Sequence, residues 1–224
     1  MSSNEIVQIG DFEVYLVKSA RAKHIFLKQN HKGQIVLTCP RFCPKMLAVS
    51  FAKTQIPWIK AHVQYAPHET VFELDTRINL LGQEYVIKQG RATELKEGIL
   101  FVSGSPEFCH RRVCSYAQKV LLDYIQKQTA VLTKQLNVKM GRITLRNTSS
   151  RWGSCSSAHN LSFCWKIAFA PVEVVDYLVA HEVAHMVHMD HSAKFWALVD
   201  KLTDKRVFAE NWLKKYGRRL QGIR

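Results

Sequence analysis

The sequence predicts an α+β protein, in which a β-rich N-terminal part precedes a mainly helical part with a short sheet. Apolar and polar residues alternate through residues 5–40 and again through 77–102, which is typical of half-buried strands. From residue 107 onwards, apolar residues recur at intervals of three and four, the period of an amphipathic helix. Turn-forming residues separate the two patterns at Ser103-Gly104-Ser105-Pro106, so we predict two subdomains, 1–105 and 106–224.

The N-terminal subdomain is predicted to consist of short strands, tight turns and one helix. Its candidate strands are residues 12–17, 24–28, 34–38, 77–81, 85–87, 93–95 and 99–102. Turns are predicted at Asn30-His31-Lys32-Gly33, at Gly82-Gln83 and near Gly98. Residues 45–65 have a helical pattern, which we expect to break at Pro57 because proline lacks the backbone N–H.

The C-terminal subdomain is predicted to contain four helices and two strands. The helices are residues 107–136, 172–188, 192–202 and 207–220, and the strands are 142–146 and 161–167. Pro171 is well placed to open the second helix, since the first turn of a helix does not need its N–H. Residues 151–157 predict a turn-rich connector between the strands.

The chain is strongly basic, with 32 Lys and Arg against 18 Asp and Glu and a net charge of +14. Such a charge favours an anionic partner, such as a nucleotide, a nucleic acid or an acidic protein surface. A solvated basic surface explains the charge equally well, and no RNA-binding signature or zinc-finger spacing is evident. No apolar run is long enough to cross a bilayer, so we predict no membrane contact.

The cysteines and the start of the chain both favour a cytoplasmic protein. The six cysteines form no CxxC pair, which argues against a zinc ribbon. The first residues are polar and acidic before they become apolar, so they do not resemble a signal peptide. Without an export signal, we expect the thiols to be reduced.

The helix predicted at 172–188 carries the pattern His181-Glu182-Val183-Ala184-His185. Histidines four residues apart share one face of a helix, so both imidazoles can bind one divalent ion. Glu182 follows the first histidine, where its carboxylate can take a proton from a water beside the metal. The alternative is two histidines on an ordinary amphipathic helix. Apolar residues cover most sides of this helix, however, and burying such polar groups without a partner would be costly.

A catalytic zinc ion needs a third protein ligand and an open position. If the helix continued, His188 would lie about 10 Å along the axis from His181, so one ion could not bind both. His191 can approach the pair only if the helix stops soon after His188. Asp190-His191-Ser192 offers such a break, because Asp and Ser are favourable helix caps. We rank His191 first, ahead of the carboxylates Asp200, Asp204 and Glu210.

Four motifs of the C-terminal part carry a family resemblance. They are Arg151-Trp152-Gly153-Ser154-Cys155-Ser156, Pro171…Asp176-Tyr177…Val179, His181-Glu182-x-x-His185 and His191-Ser192-x-x-Phe195-Trp196. In order and spacing they resemble the YgjP-like metallopeptidase domain family. Arg21-Ala22-Lys23, Pro40 and Trp58-Ile59 also fit, so the resemblance covers nearly the whole chain.

The resemblance implies a zincin-type catalytic domain, related in architecture to the SprT-like proteases. It also supports His191 as the third ligand, while His188 stands where we expect no functional residue in that family. The histidine spacing also matches the metzincin pattern. Metzincins place glycine where His188 stands and follow it with a Met-containing turn, and neither feature is evident here.

The predicted function is a Zn²⁺-dependent metallohydrolase, foremost a metallopeptidase that acts on a peptide or protein substrate. His181, His185 and His191 are the predicted metal ligands, and Glu182 is the general base that later protonates the leaving amine. Arg151 or Ser154 would stabilise the oxyanion, although Arg151 stacked on Trp152 as a structural clamp is an equal alternative. We expect residues 161–166 to form an edge strand that aligns the peptide by β-addition.

Two other functions fit the same motifs. Members of the resembled family are also described as nucleotide pyrophosphatases, and the basic charge would attract a nucleoside triphosphate such as UTP. The chain lacks a glycine-rich phosphate loop and a carboxylate cluster for magnesium, which argues against this function. The third candidate is a structural-zinc protein that binds nucleic acid through its basic C-terminal helix, in which case Glu182 would be dispensable.

Overall fold

The computed structural model describes residues 5–30, 33–63 and 70–223, and confirms the α+β class. The chain divides into two compact units, 1–69 and 70–224, whereas we predicted the boundary at residue 105. The difference arises because the strands between 77 and 102 share one core with the helices that follow them. Ile87 and Leu100 of these strands are fully buried in the same cluster as Leu121 and Ile125 of the long helix.

The first unit is a four-stranded sheet with two helices. The elements are β1 (Glu5–Ile9), β2 (Phe12–Ser19), β3 (Phe26–Gln29), β4 (Ile35–Pro40), α1 (Lys45–Thr54) and α2 (Ile56–Val63). The strand order is β1-β2-β4-β3, and only the β2–β4 pair is parallel. The helical segment breaks at Gln55 rather than Pro57, which lies in the first turn of α2, where its missing N–H is not needed. His31 and Lys32 of the predicted turn lie outside the described residues.

The second unit begins with a four-stranded sheet in the order β5-β6-β8-β7. Its strands are β5 (Arg77–Leu80), β6 (Gln83–Gln89), β7 (Glu94–Lys96) and β8 (Ile99–Val102). Leu81 and Gly82 both have positive φ, 48° and 80°, as a two-residue hairpin turn requires. A side chain at Gly82 would also lie 3.1 Å from the backbone nitrogen of Val172, so glycine is needed there for close approach.

A long helix, α3 (Cys109–Leu136), follows a short 3-10 helix at Pro106–Phe108. Its buried residues recur every four positions, at Val113, Ala117, Leu121 and Ile125. The helix ends at Asn137, which adopts the left-handed conformation with φ 52°, a common way to terminate a helix.

A three-stranded sheet in the order β10-β11-β9 follows, made of β9 (Ile143–Arg146), β10 (Gly153–Cys155) and β11 (Leu161–Cys164). Two predictions about it are wrong. The stretch at 151–157, predicted as a connector, contains the edge strand β10. The strand predicted at 161–167 ends at Cys164, and it is the central strand of the sheet instead of an edge strand. A 3-10 helix, Trp165–Phe169, takes the place of its predicted end.

Three helices complete the unit: α4 (Val172–Ala184), α5 (Ala193–Leu202) and α6 (Arg206–Gln221). Nine of the thirteen residues of α4 are buried, so this helix lies within the core, as its apolar coverage predicted. It ends four residues earlier than predicted, at Ala184 instead of 188. No helix in the described ranges combines the length and apolarity needed to cross a membrane, and all six cysteines are free thiols.

Candidate metal centre

The end of α4 and the start of α5 bring three histidines together. After Ala184, the N–H groups of Met186 and Val187 bond to carbonyls three residues back at 3.0 Å, which tightens the last turn and ends the helix. The side chain of Ser192 then caps α5 by accepting from the Phe195 N–H at 3.5 Å. The chain therefore turns between the two helices, as the predicted break requires, and returns His191 to the helical pair.

His181, His185 and His191 each offer one ligand atom, and these atoms lie within 4.8 Å of one another. We refer to them as the histidine triad. The Nε2 atoms of His181 and His191 are 3.3 Å apart. His185 Nδ1 lies 3.0 Å from the backbone oxygen of His188, to which it can donate, so its Nε2 is left for an ion.

The protonation of His181 and His185 suits metal binding. Burial, followed by the charges of the other imidazoles and Arg206, lowers the pKa of His181 to about 4. Burial also lowers the pKa of His185. Both rings are therefore neutral near pH 7, the form that binds a divalent ion. Three imidazoles that meet at one point form a ligand set that zinc prefers, so the residues present fit the metal that the sequence predicts.

Two aromatic residues of α5 hold the triad in place. Phe195 is fully buried and stacks on His185, with ring centroids 4.4 Å apart and an interplanar angle of 27°. The Trp196 ring lies 5.6 Å from the rings of both His181 and His191. The spacing His191-Ser192-x-x-Phe195-Trp196 thus combines a candidate ligand, a helix cap and two packing residues.

Glu182 lies beside the triad and is only 4% exposed. Its Oε2 has no hydrogen-bond partner among the described residues. Burial raises the pKa of Glu182 to about 8, and the nearby charge of Arg151 opposes that rise. A buried carboxylate oxygen without a partner is costly, and a water held near the triad would supply one.

Strand β10 covers Glu182, and glycine at its first residue leaves room for that side chain. A Cβ atom on Gly153 would lie 2.8 Å from Cγ and Cδ of Glu182, so a larger residue would force the Glu182 side chain to move. Trp152 fixes the strand: its carbonyl accepts from the Cys164 N–H at 2.8 Å, and its ring packs against Gly217 of α6. A cavity of about 260 Å³ lies between β10 and the triad, with Cys155 and Met189 also in its lining.

Replacing Gly153 with alanine is expected to destabilise the protein by about 1–3 kcal/mol, because the methyl group displaces the Glu182 carboxylate. Urea unfolding of the metal-free protein measures this cost. A double-mutant cycle provides the control: in the Glu182→Ala background, the same substitution should cost less than about 1 kcal/mol. An equal cost in both backgrounds would mean that the contact with Glu182 is not what requires glycine.

Of the two residues predicted to stabilise the oxyanion, Ser154 lines the cavity beside the triad and Arg151 does not. Arg151 is exposed just before β10, and its charge acts on Glu182. Among the cation–π contacts in the described ranges, none joins Arg151 to Trp152, whereas Arg206 lies 4.3 Å from the Trp196 ring centroid. The structure therefore gives no support to the clamp alternative.

His188 and the three candidate carboxylates are not grouped with the triad. His188 is half-buried and contributes its backbone carbonyl to His185. Asp200 pairs with Arg206, and Asp204 pairs with Lys205. Glu210 accepts a hydrogen bond from Tyr177.

Tyr177 is a site residue to which sequence reasoning assigned no role. Its hydroxyl donates to Glu210 Oε1 at 3.0 Å and lies 3.5 Å from His181 Nδ1. It can therefore hold the ring of His181 with Nε2 turned towards the other histidines. The available signal was its position four residues before His181, on the same helix face, but Glu210 comes from α6 and could not be paired with it from sequence.

Comparison with known protein families supports the resemblance. The family model described as YgjP-like, metallopeptidase domain, matches residues 23–216. Among solved structures, the chain is similar to the metallopeptidase zymogen of Pyrococcus abyssi abylysin, with 17% sequence identity and a TM-score of 0.38. That similarity covers 42% of this chain and 96% of the other. No curated protein sequence matches the chain.

Proposed function

We propose that this chain, which belongs to the YgjP-like metallopeptidase domain family, hydrolyses peptide bonds with a zinc ion held by His181, His185 and His191. Family membership supports a metal-dependent peptidase. The observation that carries the proposal is the histidine triad beside a buried carboxylate, Glu182, one oxygen of which has no partner among the described residues. A metal site of purely structural use would not need that carboxylate.

The metal and the carboxylate have separate roles in this mechanism. A zinc ion bound by the triad would polarise the scissile carbonyl and make a water easier to deprotonate. Glu182 accepts the proton of the attacking water and later delivers it to the leaving nitrogen. Burial raises the pKa of Glu182 in the metal-free protein, and a carboxylate that binds a proton more tightly is a stronger base towards the attacking water.

We assign substrate alignment to β10 instead of β11, because β10 is the edge strand and β11 is central. An extended peptide that pairs with β10 would pass the cavity in front of the triad. Gly153 leaves room there for the Glu182 carboxylate. Arg151 is our candidate for stabilising negative charge on the carbonyl oxygen, and its charge also favours the ionised form of Glu182.

Removing the metal is expected to abolish peptide cleavage, and adding one equivalent of zinc to restore it. Purified protein is treated with a chelator, reloaded with zinc, and assayed on casein and a mixed peptide library by the release of free amino groups. Metal content by mass spectrometry of the untreated protein identifies the ion. Nucleoside triphosphates are assayed in parallel for pyrophosphate release. Metal-dependent release from UTP without peptide cleavage would overturn the proposal in favour of the pyrophosphatase.

A further inference from the structure

A second cavity, of about 340 Å³, adjoins the cavity beside the triad. The two cavities share three lining residues, which are Gly153, His181 and Glu182. The other lining residues come from the start of the β10 segment, from α4 and from α6, and they are Trp152, Tyr177, Leu178, Glu210 and Leu213. We call this space the Trp152 cavity. It begins at the residues to which we assign the chemistry, so a ligand that fills it lies next to the reacting bond.

The two cavities follow one another along β10 and along α4. The cavity beside the triad extends to Cys155 at the end of β10 and to His185 after the end of α4. The Trp152 cavity extends the other way, to Trp152 just before β10 and to Tyr177 in the middle of α4. Glu182 lies between them. A peptide that pairs with β10 therefore passes both cavities, and a side chain that flanks the bond at Glu182 lies at the Trp152 cavity.

The walls of the Trp152 cavity are mainly apolar. The ring of Trp152 packs against Gly217 of α6, and Leu213 lies four residues earlier on the same face of that helix. Leu178 and the ring of Tyr177 form the wall on the α4 side, where both residues are buried. Apolar surface that lines an open cavity is stabilised when an apolar group displaces the water from it.

Glu210 is the second carboxylate of the cavity, and it already has partners. Its Oε1 accepts a hydrogen bond from the Tyr177 hydroxyl at 3.0 Å and lies 3.4 Å from Nε of Arg206. A basic side chain of a substrate would therefore compete with Arg206 for this carboxylate, whereas an apolar side chain leaves the ion pair intact. The charge of Glu210 thus gives no reason to expect a basic occupant.

We propose that the Trp152 cavity binds one large apolar side chain of the substrate, next to the bond that is cut. The proposal rests on the proposed peptidase function and refines it by naming the class of peptide, one with leucine or an aromatic residue at that position. The volume is at the low end of the range for small-molecule sites, which suits a single side chain. Leu213 is the specificity-determining residue that we test, because it lines this cavity and not the one beside the triad.

The test uses peptide hydroxamates, which bind zinc through the hydroxamate group and are not substrates. Binding to the zinc-loaded protein is measured by isothermal titration calorimetry, so the result does not depend on turnover. The probes differ only in the side chain beside the hydroxamate, which is that of alanine, leucine, phenylalanine or lysine. One series carries the hydroxamate at the N-terminal end and one at the C-terminal end, so that both sides of the metal are probed. In one series, we expect the leucine and phenylalanine probes to bind about tenfold more tightly than the other two.

Two substitutions of Leu213 change the size of the cavity in opposite directions. Leu213→Phe fills it and should abolish the advantage of the leucine and phenylalanine probes. Leu213→Ala enlarges it and should favour the phenylalanine probe over the leucine probe. Leu202→Phe is the matched control, because Leu202 is also half-buried, ends α5 and lines neither cavity. This control should bind all probes as the wild type does, and circular dichroism and zinc content verify that each variant is folded.

The outcomes separate the cavity from the peptidase. Equal affinity for the alanine, leucine and phenylalanine probes in both series would overturn the role of the Trp152 cavity, even if casein is cleaved. Tightest binding of the lysine probe would overturn the apolar class in favour of a basic side chain. Conversely, a protein that prefers the leucine probe, loses this preference in Leu213→Phe and cleaves no peptide would overturn the peptidase and leave the apolar site intact.

Discussion

Replacing Glu182 with glutamine is expected to lower kcat/KM for peptide cleavage by about three orders of magnitude while leaving the metal bound. The amide has almost the same size as the carboxylate, so the packing against Gly153 is kept. The glutamine amide cannot accept a proton from water, however. Proton transfer from the attacking water is therefore lost, and so is the later protonation of the leaving nitrogen. Peptide hydrolysis and zinc content measured on the same preparation test both halves of the prediction.

Glu173→Gln is the matched control, since Glu173 lies in the first turn of the same helix and does not line the cavity beside the triad. This variant should retain the wild-type rate. If Glu182→Gln instead cleaves peptides at the wild-type rate, Glu182 is not the general base. If neither the wild type nor Glu182→Gln hydrolyses any substrate and both bind nucleic acid tightly, the structural-zinc alternative is favoured.

Replacing Glu182 with glutamine should also change how the stability of the protein depends on pH. The pKa of Glu182 in the folded protein is raised to about 8, above its ordinary value of 4.5. The folded state therefore holds a proton that the unfolded state releases at lower pH. The free energy of unfolding of the metal-free wild type should fall between about pH 5 and 8 relative to Glu182→Gln, which has no such group. Urea titrations of both proteins across that range measure the difference.

Replacing His191 with alanine is expected to weaken zinc binding more than about 100-fold. Losing a metal ligand costs more affinity than losing a group that only orients a ligand. His188→Ala should change affinity only a few-fold, since His188 acts through its backbone carbonyl. Competition with a chromophoric chelator measures both constants. Glu210→Gln tests the carboxylate alternative in the same assay.

The three substitutions are expected to affect zinc affinity differently, because only His191 lies in the histidine triad. If His188→Ala releases zinc and His191→Ala retains it, the ligand set is wrong. If only Glu210→Gln releases zinc, a carboxylate is the third ligand. Thermal unfolding with and without zinc distinguishes a lost ligand from a lost fold, because bound metal raises the unfolding temperature of every variant that still binds it.

The grouping of the three histidines could be predicted from the sequence, because it depends only on residues that are close together in the chain. Histidines at positions i and i+4 share a helix face wherever the helix lies, and the capping residues around His191 mark a break within one turn. The two groups of strands and the long helix were predictable for the same reason, since their apolar periodicity does not depend on distant partners.

The parts that could not be predicted depend on distant contacts. Gly153-Ser154-Cys155 has no strand pattern, and it forms β10 only because it pairs with β11. Ser103-Gly104-Ser105-Pro106 is a turn, as predicted, but sequence does not reveal that the strands before it share a core with α3. Tyr177 could be assigned a role only once Glu210 of α6 was found beside it.

The three histidines of the triad are close together in the sequence, and this affects how fast the site can fold. His181 and His191 are only ten residues apart, and His185 lies between them. Closing so short a loop costs little chain entropy, and contacts of low sequence separation form early. Zinc can therefore join the ends of α4 and α5 before the sheets are complete, so the metal that we propose for catalysis would also accelerate the folding of the segment that binds it.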